Sequence, residues 1–374
     1  MNPEQTIAIN VRRFRASRGM SVVNTAKAAG ISRQALGNIE KGLTKEPRVS
    51  NLQALANALD VQIVDLLAVP PKLNTVRFRS NSVKTAKDKA KKEQYLIDAA
   101  FWLGDFNFLQ DAVCDKKEYK LSNAVKDIGG LKNNRPVKAA ELTRLAFDLK
   151  EDEPIGDIIG LMENAGIKVK TSKFELKNFF GFSISEPDGG PAIVVNSNRH
   201  VTIERQIFTV AHELGHLLLH PQAYNPDKSK ENELEEKEAD LFAANFLVPK
   251  SAFKKKLDES YGLGFVEKII HVKRFFGVSY QSILHRLTDL GVSDYKSLVI
   301  KFSYLYKKKF GKSLAGHVEP NGLEEYDFVE DYLRSLIRKA LDKNIITVSR
   351  AAEIQNISLI EMREIINSWA EMAA

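Results

Sequence analysis

The residues best equipped for chemistry lie in one stretch, Phe208–His220, reading FTVAHELGHLLLH. Within it His212, Glu213 and His216 form H-E-x-x-H, with apolar residues on both sides. On a helix, residues four apart share a face, so the two imidazoles can hold one zinc ion. Glu213 then projects beside the metal, where a general base for a zinc-bound water would sit. The plain alternative is a helix with two partly buried histidines. A third ligand separates the two readings.

That ligand has a candidate downstream. The run Glu236–Pro249, EKEADLFAANFLVP, is helical in pattern and ends at a proline. Glu236, Ala239, Asp240 and Ala243 fall on one of its faces. The small residues let this helix approach the histidine helix closely, so Glu236 can be the third ligand. Asp240, one turn later, can accept a hydrogen bond from the far nitrogen of a liganding histidine. Two His and one Glu leave the fourth tetrahedral position to water, as catalytic zinc requires. Glu235 and Glu238 are alternative ligands, though neither puts the Ala-Asp-Ala face in register. His220 lies eight residues after His212 and precedes Pro221, which reads as a helix-end residue. Tyr280, His285, His200 and Arg205 are candidates for a second electrophile, but the sequence does not place them.

The elements that must position these residues precede them. Glu141–Lys150 and Ile155–Ala165 read as amphipathic helices, the second closed by Gly166. Three strand-like runs follow: Ile167–Thr171, Phe179–Ser185 and Ala192–Asn196. The turn EPDGG joins the last two into a hairpin just before the metal helix. A strand there could pair with an extended peptide substrate.

Taken together, FTVAHELGHLLLH and the downstream E-x-x-A-D-x-F-A-x-x-x-L-x-P resemble the ImmA/IrrE family of zinc metallopeptidases. The resemblance runs from about Glu141 to Gly291 and includes the GFSIS…PAIVVN hairpin and FGVSYQSILHRLTDLG. It implies a zincin-like metallopeptidase domain and a role in controlling mobile elements or stress responses, where such peptidases cleave repressor proteins. The implied substrate is a repressor-type protein.

The N-terminal region has a different pattern. Residues 7–18, IAINVRRFRASR, place Ile7, Val11 and Phe14 at helical spacing among four arginines. Gly19 ends that helix, Ser21 caps the next, Gly30-Ile31 turns, and Ser32 caps a third. Helix, short glycine-containing turn, helix is the helix-turn-helix arrangement. Two more helices are expected at Ser50–Leu59 and Val61–Leu67. The AKAAGIS turn, the IEKG end of the third helix and the LxxLAxALDV run resemble the Xre/lambda-repressor family. That resemblance implies DNA binding, with the helix from Ser32 in the major groove and Arg33, Gln34 and Asn38 nearest the bases. Arg12, Arg13, Lys41 and Lys45 could meet phosphates. Val22 stands where the family usually carries Gln, so one expected contact is missing.

The remaining chain is less informative. Pro70-Pro71 and the basic KLNTVRFRSNS read as an irregular connector, and KTAKDKAKKEQ as a solvated helix face. Tyr95–Leu121 turns apolar and aromatic, suggesting helices packed on the following domain, with Cys114 as a core thiol. Beyond residue 291, helices are expected at Tyr295–Phe310, Tyr326–Lys343, Ser349–Gln355 and Ser358–Ala370, the last two weakly resembling a second helix-turn-helix. One cysteine in 374 residues excludes an internal disulfide framework, and no apolar run spans a membrane. A soluble cytoplasmic protein is expected. The net charge of +7 leans towards a polyanionic partner.

The expected fold is mainly α with a small β-sheet (α+β), in four segments. These are a helix-turn-helix head (1–69), a connector (70–134), a zinc metallopeptidase domain (135–290) and a helical C-terminal region (291–374). The functional expectation is a DNA-binding regulator, able to form a homodimer, fused to a zinc endopeptidase. A repressor or antitoxin-like regulator whose zinc domain only senses or scaffolds is the alternative.

Overall fold

The computed structural model describes residues 2–78, 85–224, 232–314 and 318–371. Five helices open the chain: α1 (Pro3–Ser17), α2 (Val22–Ala28), α3 (Arg33–Glu40), α4 (Val49–Leu59) and α5 (Ile63–Leu67). Strand β1 (Val76–Phe78) comes next, then α6 (Ala86–Val113), α7 (Ser122–Gly129), α8 (Arg135–Ala146) and α9 (Ile158–Asn164). Strands β2 (Lys168–Ser172), β3 (Gly181–Ile184) and β4 (Ala192–Asn196) precede α10 (Ile203–Leu219) and α11 (Glu233–Leu247). The chain continues through α12 (Lys250–Glu259), α13 (Phe265–Phe276), α14 (Tyr280–Asp289) and α15 (Tyr295–Phe310). It closes with α16 (Tyr332–Asp342), α17 (Val348–Gln355) and α18 (Leu359–Glu371). The fold is α+β: mostly helix, with one small sheet.

Contacts divide the chain into two units that cut across the four segments read from sequence. One unit joins Met1–Lys72, Lys89–Asp115 and Leu333–Ala374; the other joins Leu73–Asp88 and Lys116–Tyr332. In the first, Ile7, Val11 and Phe14 of α1 pack with Leu36 and Ile39 of α3 and Leu52, Leu55 and Leu59 of α4. The Ser21 and Ser32 hydroxyls cap α2 and α3, accepting from Asn24 and Ala35 backbone N–H groups at 3.1 and 3.0 Å. Arg15 reaches from α1 to hold Glu40 at the end of α3 through both carboxylate oxygens.

The aromatic stretch expected on the following domain instead belongs to α6, whose Arg350–Asp105 and Lys339–Asp115 ion pairs join it to α17 and α16. Cys114 is exposed rather than a core thiol: α6 stops at Val113, and Cys114 takes a left-handed turn position with φ 58°.

The second unit is built on a four-stranded sheet of order β1-β3-β4-β2. β4 runs parallel to β2 and antiparallel to β3, as the hairpin predicted from EPDGG requires. The connector was expected to be irregular, yet its residues Val76–Phe78 form β1 and pair antiparallel with β3, Arg77 opposite Ser183. Val76 and Phe78 turn inward on either side of Arg77, a period-2 burial that accounts for the strand. The Asp188 carboxylate accepts the Asn74 and Thr75 backbone N–H groups and so anchors its entry.

α10 lies against β3 and β4 and is buried along nearly its whole length, with α11 beside it. Gly215 is required here: a Cβ would come within 2.9 Å of the Phe242 ring and 3.3 Å of the Ala239 Cα. Glycine on one helix and alanine on the other therefore set the close approach that brings their polar faces together. Beneath the start of α10, fully buried Lys273 of α13 bridges Glu204 and Glu319 at 2.8 and 3.1 Å. No helix among the described residues is long and apolar enough to cross a membrane.

Candidate metal centre

Where α10 crosses α11, His212, His216 and Glu236 converge. Their Nε2, Nε2 and carboxylate atoms all lie within 4.8 Å of one another, a grouping able to hold a metal ion. The two Nε2 atoms are 3.0 Å apart, and Glu236 reaches His212 with Oε2 at 3.4 Å and His216 with Oε1 at 3.2 Å. Two imidazole nitrogens facing each other across one carboxylate form an arrangement that a shared cation satisfies. The donor set of two nitrogens and one oxygen suits zinc. Of the three glutamates weighed as third ligand, only Glu236 reaches both histidines; Glu235 and Glu238 turn elsewhere.

Each side chain of the group is fixed by a second partner. His212 Nδ1 lies 2.8 Å from Asp240 Oδ1, one turn beyond Glu236. Glu213 is buried, and one of its oxygens accepts from the Ser183 hydroxyl of β3 at 2.7 Å. The Tyr224 hydroxyl lies 2.9 Å from the same Ser183 oxygen. Arg77 of β1 donates to Glu236 Oε1 at 3.1 Å and also holds Glu235. His216 Nδ1 meets His220, which in turn meets Glu238.

Arg77, Ser183 and Tyr224 are the residues that the sequence reading passed over. Arg77 and Ser183 come from strands far from the motif in the chain, whereas Tyr224 lies only eight residues after His216; the alternation of apolar Val76 and Phe78 about Arg77 was the one local signal.

The electrostatics follow from burial set against these partners. Burial pushes the His212 imidazole down, but hydrogen bonds to Asp240 and Glu236 outweigh it and raise its pKa to about 9. Burial would raise the Glu236 carboxyl, yet its bonds to both histidines hold it well below the usual carboxylate range. Burial raises Glu213, opposed by His212 and the Ser183 hydroxyl. His216 is lowered chiefly by burial, as is His220.

A cleft of about 740 Å³ opens beside Asp240, and His200, Arg205, Tyr280 and His285 all line it. The four candidates for a second electrophile are thus brought to one cavity. Tyr280 stacks on Phe302 with centroids 4.9 Å apart, and His285 on Tyr295 at 3.7 Å. The Arg205 guanidinium lies 4.0 Å above the Phe180 ring.

In the head, Ser32, Arg33 and Gln34 are exposed at the start of α3, Asn38 is half-buried one turn later, and exposed Lys41 closes the helix. Arg12 and Lys45 are exposed as well. Arg13 is not placed for phosphate: its guanidinium stacks 3.9 Å above the Phe101 ring and pairs with Asp98. The helical spacing of Phe14 and Val11 concealed this, because Arg13 turns towards α6, whose position was not readable locally.

Comparison with known families identifies two segments. Residues 162–288 match the family described as Peptidase M78, IrrE N-terminal-like domain, and residues 11–66 match the helix-turn-helix family. No curated protein matches the chain.

Proposed function

We propose that this chain, which joins a helix-turn-helix DNA-binding domain to a domain of the Peptidase M78 family, is a cytoplasmic regulator whose zinc endopeptidase domain cleaves a repressor-type protein. The observation that carries this reading is the convergence of His212, His216 and Glu236 on one point, with Glu213 on the same helix as the two histidines. A zinc ion held by these three would act as a Lewis acid and lower the pKa of a water at that point.

The protein's own groups do the rest. Glu213 is the general base: one carboxylate oxygen accepts from Ser183, leaving the other to take a proton from water and return it to the leaving amine. Asp240, accepting from His212 Nδ1, would hold a proton on that nitrogen and leave Nε2, which faces Glu236, to the metal. Arg77 fixes the carboxylate of Glu236 so that it meets both histidines at once. The burial of this group excludes bulk water and strengthens each contact.

The adjoining cleft, lined by Phe208, Leu241 and Val278 together with charged groups, offers room for substrate side chains. On the head, Ser32, Arg33, Gln34 and Asn38 are the residues for base contacts in the major groove, and Lys41 for a phosphate. DNA binding brings the peptidase to the place where repressors work, which favours a regulatory protein as substrate.

The test is to incubate zinc-loaded protein with helix-turn-helix repressors from the same cell and analyse the mixture by mass spectrometry. Defined fragments that vanish with a chelator are expected. Intact repressors throughout would overturn the peptidase reading.

A further inference from the structure

The two histidines of the metal group are supported in different ways. His212 Nδ1 faces a carboxylate directly, Asp240 Oδ1 at 2.8 Å. His216 Nδ1 instead lies 3.0 Å from Nδ1 of His220, one helical turn on. The other nitrogen of His220, Nε2, lies 2.8 Å from Glu238 Oε2. Arg135 stands 3.8 Å from that same oxygen and donates its other terminal nitrogen to the Leu219 carbonyl at 2.6 Å. His220 is thus clasped between α10, α11 and the start of α8.

We propose that Glu238 and His220 form a positioning relay that sets the tautomer of His216, so that its Nε2 lone pair faces the metal point. The proposal rests on the zinc reading of His212, His216 and Glu236. An ionised carboxylate only accepts, so Glu238 requires the N–H of His220 to be on Nε2. A neutral His220 then has a bare Nδ1, which can only accept. The nitrogen facing it, His216 Nδ1, must therefore carry its own ring's proton.

That leaves the His216 Nε2 lone pair to a cation at the point where Nε2 faces Glu236 Oε1 and His212 Nε2; without a cation, the Glu236 carboxylate would itself call for a proton on Nε2. With a cation at that point the reverse arrangement fails at both ends. It would put a bare His220 nitrogen against a carboxylate and a proton on the atom that binds the cation.

The relay also differs from the Asp240 contact in charge. Glu213, Glu236 and Asp240 already place three carboxylates around the group. A neutral imidazole in contact with His216 orients the ring while keeping the fourth negative charge one ring further away. His220, which the sequence presents as a helix-end residue, thereby becomes the partner of a ligand.

The experiment uses the full chain and zinc alone. Zinc affinity is measured by competition with a chromophoric chelator for the parent, His220→Ala, His220→Asn and Glu238→Gln. Loss of the relay in His220→Ala is expected to weaken zinc binding by ~10–100-fold. His220→Asn keeps an acceptor near the Nδ1 position and is expected to recover most of that loss. Glu238→Gln, at a partly exposed side chain that tolerates change, is expected to fall between them.

In parallel, ¹⁵N shifts of the zinc-loaded parent should show His220 protonated at Nε2 and bare at Nδ1, with mixed His220 tautomers in Glu238→Gln. Zinc affinity unchanged in both His220→Ala and Glu238→Gln, or His220 protonated at Nδ1 in the zinc-loaded parent, would overturn the relay alone. A parent that binds no zinc would overturn the metal reading and the relay with it.

Discussion

The crossing of α10 and α11 and the start of α3 both present polar side chains arranged for a task, but they are held in opposite ways. At the crossing every ligand candidate has a second partner: Asp240 for His212, His220 for His216 and Arg77 for Glu236. Glu213 has Ser183. On α3, the backbone is fixed by the Ser32 cap and by Arg15 on Glu40, while Arg33, Gln34 and Lys41 extend into solvent.

The difference fits what the proposed function asks of each region. Groups that stabilise developing charge work best already in place and dry, because reorganisation at the moment of reaction costs rate. Groups that read base edges gain their partners only on binding, so the scaffold needs to aim the helix rather than the side chains.

Substitutions can break or sharpen this contrast. The largest effect is expected from Glu236→Ala, which removes a proposed ligand rather than a support. Its loss of zinc affinity, read by metal analysis, should exceed the ~10–100-fold that loss of a supporting partner costs. DNA binding by α3 should not change.

Lys273→Ala comes next. It strands Glu204 and Glu319 in the floor beneath α10 and should cost about 3–5 kcal/mol in denaturant unfolding. Retained stability would mean that the buried triad does not hold α10 in place.

Glu163 gives a pH-dependent effect in the same unit. Burial, with Asp331 and Glu330 nearby, raises its carboxyl to about 8. A carboxyl raised in the folded state contributes stability that is complete below its unfolded value of about 4.3. That contribution is lost as pH rises to about 8. Glu163→Gln should flatten this part of the stability profile, and an unchanged slope would remove Glu163 as its source.

The smallest effects on the fold belong to the head. Arg33→Ala and Gln34→Ala should each weaken operator binding by about 1–3 kcal/mol. The melting temperature and zinc content should stay at the parent's values, because these exposed side chains support nothing else. A drop in stability would show that α3 is less independent of its surface than the contrast requires.

Much of the metal group was legible because its spacing is local. H-E-x-x-H and the Glu236, Ala239, Asp240 face each repeat at the helical period, and Gly215 and the alanines announce close helix packing. The three strand-like runs and the β3–β4 hairpin at EPDGG could likewise be read, but not the parallel pairing of β2 with β4.

What escaped was set by pairing across long stretches of chain. Arg77 reaches Glu236 only because three connector residues add to β3, and a three-residue strand in a basic segment has little propensity signal. Ser183 is one serine among many until the β3 register turns it towards Glu213. Arg13 and Cys114 were misread for a related reason. Each depends on α6, on the residues it packs against or on where it stops, and amphipathic spacing carries neither.

The buried group at the α10–α11 crossing is proposed to carry out hydrolysis and not only to hold a metal. Glu213→Gln separates these uses, since it keeps the shape of the side chain and removes the base. With zinc content and DNA affinity at the parent's values, cleavage of a partner repressor should fall by at least ~10²-fold. Cleavage at the parent's rate in this variant would contradict a hydrolytic role for Glu213.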